Sequence, residues 1–244
     1  MRHGQRKGSG VRVSPHGRRA AVSAATLMVT GTDTGVGKTL ASAAMLHALR
    51  GRGLRAVGMK PVASGCAGTP EGWRNDDALA LQAASDPRPS YHQVNPYALP
   101  APTAPQLAAR EAGVQVELDV ILRAHAQLAA GADRVVVEGA GGWMAPLGDG
   151  LEHATLAAAL QADVVLVVGL RLGCLSHARL SVRAIEADGV RLAGWVGNTL
   201  DREFSQDYLA LVREALPAPC LGVIPNMADP DSSIASQAIA AAIL

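Results

Sequence analysis

The 244-residue sequence has few aromatic residues: one Phe, three Trp and three Tyr make up 3% of the chain. Charged residues are also sparse at 18%, whereas the hydrophobic fraction reaches 49%. An apolar interior must therefore be built mainly from Ala, Val and Leu. Such cores are typical of parallel sheets covered by helices, and this composition excludes a chain that is disordered throughout. The length fits one α/β domain or at most two small ones.

Cysteine is scarce as well, and Cys66, Cys174 and Cys220 lie far apart in the sequence. There is no CxxC pair and no Cys/His cluster with metal-ligand spacing, which excludes the common zinc-binding patterns. An odd, low number of cysteines without a secretion signal indicates free thiols in a reducing compartment. We therefore expect a cytoplasmic location.

Long apolar runs are missing too, so the sequence indicates neither a signal peptide nor a membrane span. The net charge of +1 gives no reason to expect a nucleic-acid partner. Charge is asymmetric only in residues 1–25, which hold six basic residues and no acidic one. This composition is compatible with a transit peptide, but without an amphipathic pattern we predict a disordered extension or a start codon placed too early. The folded domain is predicted over residues 26–244.

From residue 26 onward, apolar segments of strand length alternate with segments of helical periodicity. The predicted strands are 26–30, 55–59, 134–138, 164–169, 192–198 and 221–224. The predicted helices are 38–50, ended by Gly51, then 77–84, 104–111, 118–130, a helix capped by Ser176 and running to 187, one through Tyr208 and Leu211, and one from Ser232. This alternation predicts a single α/β domain with a mostly parallel sheet and helices on both faces. Ligands of such sheets bind beyond the carboxyl ends of the strands.

The sharpest motif is GTDTGVGKT, residues 31–39, between the first predicted strand and the first helix. Glycines let successive backbone N–H groups point at phosphate oxygens, and the helix N-terminus adds positive potential. Lys38 is positioned to reach the β- and γ-phosphates, and the Thr39 hydroxyl to bind Mg²⁺. Five residues rather than four separate Gly31 from Gly37, a departure from the common P-loop spacing. A P-loop by itself indicates a nucleoside triphosphate, but not the reaction.

Six further motifs follow in order. They are MKPVASG (59–65), RNDDALALQ (74–82), VEGAGGW (137–143), VVGLRLGCLSHARL (167–180), GWVGNTL (194–200) and LGVIPN (221–226). Together with the phosphate loop, this ordered set resembles the dethiobiotin synthetase family over essentially residues 26–244. The extended spacing of the loop is itself a feature of that family.

The resemblance implies a P-loop NTPase fold and a ligase that uses ATP and Mg²⁺. Its implied substrates are 7,8-diaminononanoate, CO2 and ATP. One amine takes up CO2 as a carbamate, ATP phosphorylates the carbamate, and the second amine closes the cyclic urea of dethiobiotin. The resemblance also implies a homodimer that shares its substrate sites across the interface.

Residue roles are carried over motif by motif. The nucleotide-binding set is Asp33, Gly35, Val36, Gly37, Lys38, Thr39, Leu40, Asn198 and Pro225. The implied Mg²⁺ ligands are Thr39, Asp77 and Glu138. Asp76 competes with Asp77, and either could simply cap a helix. Glu138 ends a buried apolar strand, where an ionised carboxylate is costly unless it is paired or bound to metal.

The implied catalytic residues are Lys38, Lys60 and Thr34. Lys60 would contact the carbamate and the transferring phosphoryl group. The implied substrate-binding residues are Ser64, Gly141 and Tyr208, the last acting from the partner subunit. The glycine run around Gly141 also suits a plain tight turn, and Tyr208 also suits a core position.

The sequence departs from the family pattern at two positions. Gly35 stands where some members have an acidic residue, and Ser176 where some have Asn. His177 has no evident acid–base partner, and we interpret it as structural.

Two other functions use similar phosphate loops. A P-loop amidoligase of the corrinoid type usually needs a glutaminase domain, for which 244 residues leave little room. A switch ATPase of the partitioning class typically has a lysine in the loop where this chain has Asp33. The segment 232–244 also has no Lys or Arg for a basic amphipathic helix.

Overall fold

The computed structural model describes residues 24–239. The predicted basic extension lies outside the described residues, apart from Ala24 and Ala25, and Ala25 already opens the first strand. The strands are β1 (Ala25–Gly31), β2 (Ala56–Met59), β3 (Val62–Ala63), β4 (Ala67–Thr69), β5 (Gly72–Arg74), β6 (Tyr97–Ala98), β7 (Arg134–Gly142), β8 (Asp163–Leu170), β9 (Leu192–Thr199) and β10 (Cys220–Ile224). The helices are α1 (Lys38–Gly51), α2 (Asp76–Ala84), α3 (Tyr91–Val94), α4 (Pro105–Glu111), α5 (Leu118–Ala129), α6 (His153–Ala159), α7 (Cys174–Ala187), α8 (Gln206–Ala215) and α9 (Ser232–Ala235), which a 3-10 turn (Ser236–Ala238) follows.

Six strands form one sheet in the order β10-β9-β8-β1-β7-β2, and every neighbouring pair is parallel. Strand β1 lies in the middle, between β8 and β7. The connection from β1 through α1 leads to β2 at the edge of the sheet, and β7, which comes later in the chain, fills the place between β1 and β2. The carboxyl ends of β1, β2 and β7 therefore meet at one edge. The predicted α/β fold with a parallel sheet is confirmed.

The sheet is covered on both faces. Side chains alternate along β1: Leu27 and Val29 pack into an apolar cluster with α1 and α2, whereas Met28 packs into a second cluster with α5 and α6. In β7, Val136 joins the first cluster and Val135 the second. Burial on both faces explains why the central strands are continuous Val/Leu runs rather than alternating ones.

Two predicted helix boundaries are wrong, by one residue at the end of α1 and by three at the start of α7. Helix α1 includes Gly51, and the left-handed residue that stops it is Gly53, with φ 80°. The Gly53 N–H donates to the Arg50 carbonyl at 2.8 Å, as expected for a C-terminal cap. Helix α7 begins at Cys174 after a left-handed Gly173, so Ser176 lies inside the first turn and caps nothing.

Sequence periodicity missed the short elements. Strands β3 and β6 form a two-stranded parallel pair, and β4 and β5 form an exposed hairpin that precedes α2. Helices α3 and α6 were also not predicted. Most of these elements have only two to four residues, too few to establish a period, and α6, with seven, consists mainly of Ala. In the described part of the chain, no helix has the length and hydrophobicity needed to cross a membrane.

Candidate active site

The phosphate loop connects β1 to α1 at the centre of the sheet edge. Gly37 adopts φ 88°, and a Cβ there would lie 2.1 Å from Asn198 Nδ2. Asn198, near the end of β9, uses the same amide to donate to the Val36 carbonyl at 3.0 Å. Only glycine therefore fits both the backbone conformation and the close approach of Asn198. The hydrogen bond from the Asn198 amide therefore connects the phosphate loop to the end of β9.

Lys38 opens α1 and is 7% exposed. Its Nζ donates to the carbonyl oxygen of Asp33 at 3.0 Å, so the ammonium is folded back over the loop. Burial, together with the positive charge of Lys60, lowers the pKa of Lys38 to about 8. A phosphate group bound in the loop would supply the negative charge that this ammonium lacks.

Three oxygen-bearing side chains converge beside Lys38. The Thr39 hydroxyl lies 2.7 Å from Asp77 Oδ1 and 3.0 Å from Glu138 Oε1. Glu138 has no exposed surface, and its Oε2 has no hydrogen-bond partner. Asp76 is exposed, whereas Asp77 faces Thr39, so the geometry separates the two competing aspartates in favour of Asp77.

This oxygen set fits a divalent cation that also binds a nucleotide. Nowhere between residues 24 and 239 do three or more His, Cys, Asp or Glu side chains form a metal-binding group. Mg²⁺ at nucleotide sites usually takes only one or two carboxylates and keeps waters and phosphate oxygens as its other ligands. Two carboxylates, one of them with an unpartnered buried oxygen, and one hydroxyl satisfy that requirement.

Lys60 follows β2 and is 4% exposed. Its Nζ lies 2.5 Å from Glu138 Oε1, 3.0 Å from Asp77 Oδ2 and 3.2 Å from the Gly139 carbonyl oxygen. Burial by itself would lower the pKa of Lys60, but the Glu138 and Asp77 carboxylates outweigh it and raise that pKa. For Asp77, burial opposes ionisation, and the charge of Lys60 more than compensates, which lowers the Asp77 pKa. The Lys60 ammonium therefore lies between two carboxyl groups, those of Asp77 and Glu138.

A cavity of about 700 Å³ opens above this cluster. The residues that line it are Thr34, Gly35, Gly37, Lys38, Thr39, Lys60, Ser64, Asn75, Asp77, Pro102, Thr103, Ala104, Pro105, Glu138, Ala140, Gly141 and Ala145. Its volume suits a small molecule next to a nucleotide's phosphates. The predicted residues Thr34, Ser64 and Gly141 all face the same cavity.

A second cavity of about 120 Å³ lies on the other side of α1's first turn. Leu40, Asn198 and Pro225 line it, together with Thr199, Leu200, Asn226, Met227 and Pro230. Three residues predicted to bind nucleotide are thus brought together from three distant segments.

Tyr208 does not face either cavity. It is half-buried on α8, where its ring packs edge-on against Phe204 at a centroid distance of 5.3 Å. Ser176 and His177 are exposed on α7. Within one chain, the structure does not bring these three residues to the site.

His153 is a residue of the site region that sequence reasoning missed. It has no exposed surface, and its Nε2 accepts from the Ala140 N–H at 3.2 Å while its Nδ1 lies 2.9 Å from the Ala145 carbonyl oxygen. These partners require a neutral ring with the proton on Nδ1. Burial lowers the pKa of His153 to about 4, so it holds the cavity wall as a neutral group. A lone His in the sequence gave no signal of this role.

Arg171 was missed as well. It follows β8, and its Nη2 lies 2.9 Å from Asp33 Oδ2. The other Asp33 oxygen accepts from the Thr34 N–H at 2.7 Å. Asp33 therefore connects the phosphate loop to the turn before α7, an interaction that the spacing of the loop could not reveal.

The fold and the phosphate loop define the chain as a P-loop nucleotide-binding protein. A family model described as "AAA domain" matches residues 25–233. The sequence is 58% identical over 212 residues to an ATP-dependent dethiobiotin synthetase BioD of Xanthomonas oryzae, which covers 86% of this chain and 94% of that protein. It is 59% identical over 208 residues to the protein of the same name from Xylella fastidiosa, covering 84% and 92%. The chain belongs to the ATP-dependent dethiobiotin synthetase family, a family of ligases of biotin synthesis.

Solved structures with the same fold are much more distant in sequence. The MinD cell division protein of Aquifex aeolicus matches with a TM-score of 0.55 and 16% identity, over 89% of this chain and 94% of that one. The MinC:MinD complex of the same organism gives 0.57 and 17%, over 89% and 93%. At this identity the likeness concerns the fold alone, and it confirms the P-loop architecture.

Proposed function

We propose that this chain catalyses the ATP- and Mg²⁺-dependent conversion of 7,8-diaminononanoate and CO2 to dethiobiotin, ADP and phosphate. The observation that carries the proposal is the convergence of Lys38, Thr39, Lys60, Asp77 and Glu138 at the floor of one cavity. A triphosphate seated on the loop would direct its γ-phosphoryl group into that cavity. The close relatives carry the name of this activity over nearly their whole length.

The reaction has three steps. One amine nitrogen attacks the carbon of CO2 and loses a proton to solvent, which forms a carbamate. A carbamate oxygen then attacks the γ-phosphorus of ATP, and ADP leaves with the electron pair of the broken P–O bond. Finally the second amine attacks the carbamoyl carbon, phosphate departs, and a further proton is released as the cyclic urea closes. In-line transfer of this kind depends on positioning and charge neutralisation more than on covalent catalysis.

Lys38 and the loop amides are proposed to hold the β- and γ-phosphates. Lys60, which lines the same cavity, is proposed to bind the carbamate and the transferring phosphoryl oxygens. Its buried ammonium, held between two carboxylates, supports this role because it presents a fixed positive charge. Thr34, at the cavity wall, is proposed to contact the substrate amine or the phosphate.

Thr39, Asp77 and Glu138 are proposed to hold Mg²⁺. When bound there, Mg²⁺ would neutralise charge on the nucleotide phosphates. In the ligand-free chain, Lys60 and the Thr39 hydroxyl occupy those carboxylate oxygens. Thr39 and Lys60 would therefore exchange partners when the metal enters.

The smaller cavity is the proposed adenine site. Asn198 has an amide whose donor and acceptor can pair with the edge of adenine, and Leu40 and Pro225 supply apolar surface beside it. One N–H of the Asn198 amide already donates to the Val36 carbonyl oxygen, so its second N–H and its carbonyl oxygen are the groups available for adenine.

The substrate chain is proposed to lie along Ser64 and Gly141 in the larger cavity. Its carboxylate would then be bound by Tyr208 of a second subunit in a homodimer. Tyr208 lines neither cavity of its own chain, which is consistent with such a contribution in trans. The exposed side chains of Leu172, in the turn before α7, and Leu180, within α7, provide apolar surface for such an interface.

The test is a phosphate-release assay with ATP, Mg²⁺ and bicarbonate, with and without 7,8-diaminononanoate, with product detection by mass. Phosphate release that requires the diamine, with a cyclic-urea product, is expected. ATP hydrolysis indifferent to the diamine would contradict the proposal and favour a switch ATPase. Phosphorylation of a substrate carboxylate followed by ammonia-dependent amide formation would favour an amidoligase.

Two neighbouring aspartates provide a matched pair for the metal site. Asp77→Asn is expected to raise the Mg²⁺ concentration for half-maximal rate by tenfold or more. Asp76→Asn, one residue away and exposed, is expected to leave it within about twofold. Equal effects of the two variants would remove Asp77 from the metal site.

A further inference from the structure

A buried pair of polar side chains lies behind the site, on the side of α3. Tyr91 and Asn95 are 7% and 1% exposed. The Tyr91 hydroxyl donates to Asn95 Oδ1 at 2.9 Å and accepts from the backbone N–H of Asn75 at 2.8 Å. Asn95 Nδ2 in turn donates to the backbone carbonyl of Lys60 at 2.7 Å and to that of Tyr97 at 3.1 Å. We call this pair the Tyr91–Asn95 relay.

Each end of the relay holds a loop that carries site residues. At one end, the backbone N–H of Lys60 also donates to the Val94 carbonyl at 2.8 Å, so the α3 segment binds both backbone polar groups of Lys60. At the other end, Asn75 caps helix α2, whose first turn contains Asp77. Asn75 Nδ2 also donates to the backbone carbonyl of Ser64 at 3.3 Å.

Helix α2 is attached to β2 at its far end, where the Gly58 N–H donates to Ser85 Oγ at 2.9 Å and the Asp86 N–H to the Ala56 carbonyl oxygen at 2.9 Å. Nearer the site, the chain between Ser64 and Asn75 runs through the hairpin of β4 and β5, whose residues are mostly exposed. The direct side-chain contact is the 3.0 Å ion pair of Lys60 with Asp77, and the Asp77 side chain is 42% exposed. Ion pairs open to solvent are weak, so a fixed geometry needs support from buried groups. The relay supplies it, because buried hydrogen bonds are costly to leave unmade.

We propose that Tyr91 and Asn95 are positioning residues that set the distance between Lys60 and Asp77, and so prepare the site for a divalent cation on the nucleotide phosphates. This inference rests on the proposed roles of Lys60 and Asp77. The Arg74 guanidinium, 4.3 Å from the centre of the Tyr91 ring, steadies the ring from the solvent side. Neither Tyr91 nor Asn95 touches substrate, so their effect passes through the two loops.

The chain provides a matched control for Tyr91→Phe. The Tyr97 hydroxyl also accepts from a backbone N–H, that of Glu117, at 2.9 Å, but it lies outside the relay. Tyr97→Phe therefore removes the same kind of bond without disconnecting Lys60 from Asn75. A difference between the two variants reports the relay rather than the loss of a tyrosine hydroxyl.

The experiment measures three quantities on each full-length variant: the Kd of Mn²⁺ for the ADP complex by electron paramagnetic resonance, the Kd of ATP without divalent cation, and the melting temperature of the ligand-free protein. Tyr91→Phe is expected to raise the Mn²⁺ Kd about tenfold, the scale of one net hydrogen bond. Its metal-free ATP affinity is expected within twofold of wild type, because the phosphate loop is not part of the relay. Tyr97→Phe is expected within twofold of wild type in both.

Three distinguishable outcomes would overturn either the proposed metal site or the proposed role of the relay. If the wild type with ADP does not bind Mn²⁺, the proposed metal site itself fails. If the wild type binds it and both Phe variants behave alike, the relay fails. If Tyr91→Phe weakens metal-free ATP binding as much as Mn²⁺ binding, the residue acts on general stability, which also overturns the proposal.

A second variant covers the case in which Tyr91→Phe does not fold. Asn95→Asp keeps the acceptor for the Tyr91 hydroxyl but loses the donor to the Lys60 carbonyl. It is expected to weaken Mn²⁺ binding by a similar factor. Unchanged Mn²⁺ affinity in a folded Asn95→Asp protein would refute the role of the relay.

Discussion

Replacing Glu138 by Gln removes one charge from the most buried point of the site without changing the size of the side chain. Glu138 Oε1 accepts from Lys60 at 2.5 Å and from Thr39 at 3.0 Å, and Oε2 has no partner. A glutamine must place its NH₂ group in one of these two positions. It would either face the Lys60 ammonium or become a buried donor where the structure provides no partner.

The cost follows from the burial of the pair. Removing one member of a buried ion pair costs about 3–5 kcal/mol, because the remaining charge is left uncompensated. The lower end applies here, since Lys60 keeps the Gly139 carbonyl and the partly exposed Asp77 carboxylate. We therefore expect the free energy of unfolding to fall by about 3 kcal/mol, which for a domain of this size lowers the melting temperature by about 6–12 °C.

The assay is urea and thermal unfolding of the ligand-free protein at pH 7 without Mg²⁺. Glu111→Gln, an exposed change at the end of α4, is the control and is expected within about 0.5 kcal/mol of wild type. A Glu138→Gln protein as stable as that control would refute a buried Lys60–Glu138 pair in solution. The same variant is expected to lose most of its Mg²⁺-dependent activity, and full activity would exclude Glu138 as a metal ligand.

Two further predictions concern His153 and the phosphate loop. The pKa of His153 is about 4 in the folded chain and about 6.5 when unfolded, so the unfolded state binds more protons between these values. The neutral His153 ring therefore contributes at most about 3 kcal/mol to the free energy of unfolding, a contribution that is complete above pH 6.5 and is lost as the pH falls toward 4. In urea unfolding from pH 7 to 4.5, the free energy of unfolding should decline less for His153→Gln than for wild type. Equal declines would contradict the low pKa of His153. In Gly37→Ala, the residue keeps a left-handed backbone and its new Cβ lies 2.1 Å from Asn198, so we expect a calorimetric titration to show no ATP binding. The control is Gly53→Ala, which is also left-handed but has no atom within 4 Å of the new Cβ. It should lower the free energy of unfolding by only about 1–2 kcal/mol. Normal ATP affinity in folded Gly37→Ala protein would refute the close approach.

Local sequence was sufficient for the parts of the site that one segment builds. The phosphate loop is such a part, since glycine spacing and the lysine at the start of α1 are properties of nine consecutive residues. Likewise, the apolar runs predicted β1, β7, β8 and β9 within one to four residues at each end. The end of α1 was misplaced by one residue, because the choice between Gly51 and Gly53 as the stop depends on which residue adopts a positive φ.

Hydrophobic periodicity could not identify side chains that act through residues distant in the sequence. His153, Tyr91 and Asn95 look like ordinary polar residues in short segments. Their roles arise from burial and from hydrogen bonds to the backbone of other segments, such as Ala140 and Lys60. Local sequence patterns do not reveal such contacts, since a polar side chain is equally suited to solvent.

By itself, the sequence determined the alternation of strands and helices, the phosphate loop and the ordered motifs of the family. Each of these depends on residues close together in the chain. Only the tertiary structure decided that β7 pairs with both β1 and β2, which brings Lys60 within 2.5 Å of Glu138, 78 residues away. The physical reason is that strand order is set by how whole strands and helices pack around a common core. The chemistry of the site depends on that packing, because it places the Lys60 ammonium next to the Asp77 and Glu138 carboxyl groups in a buried position.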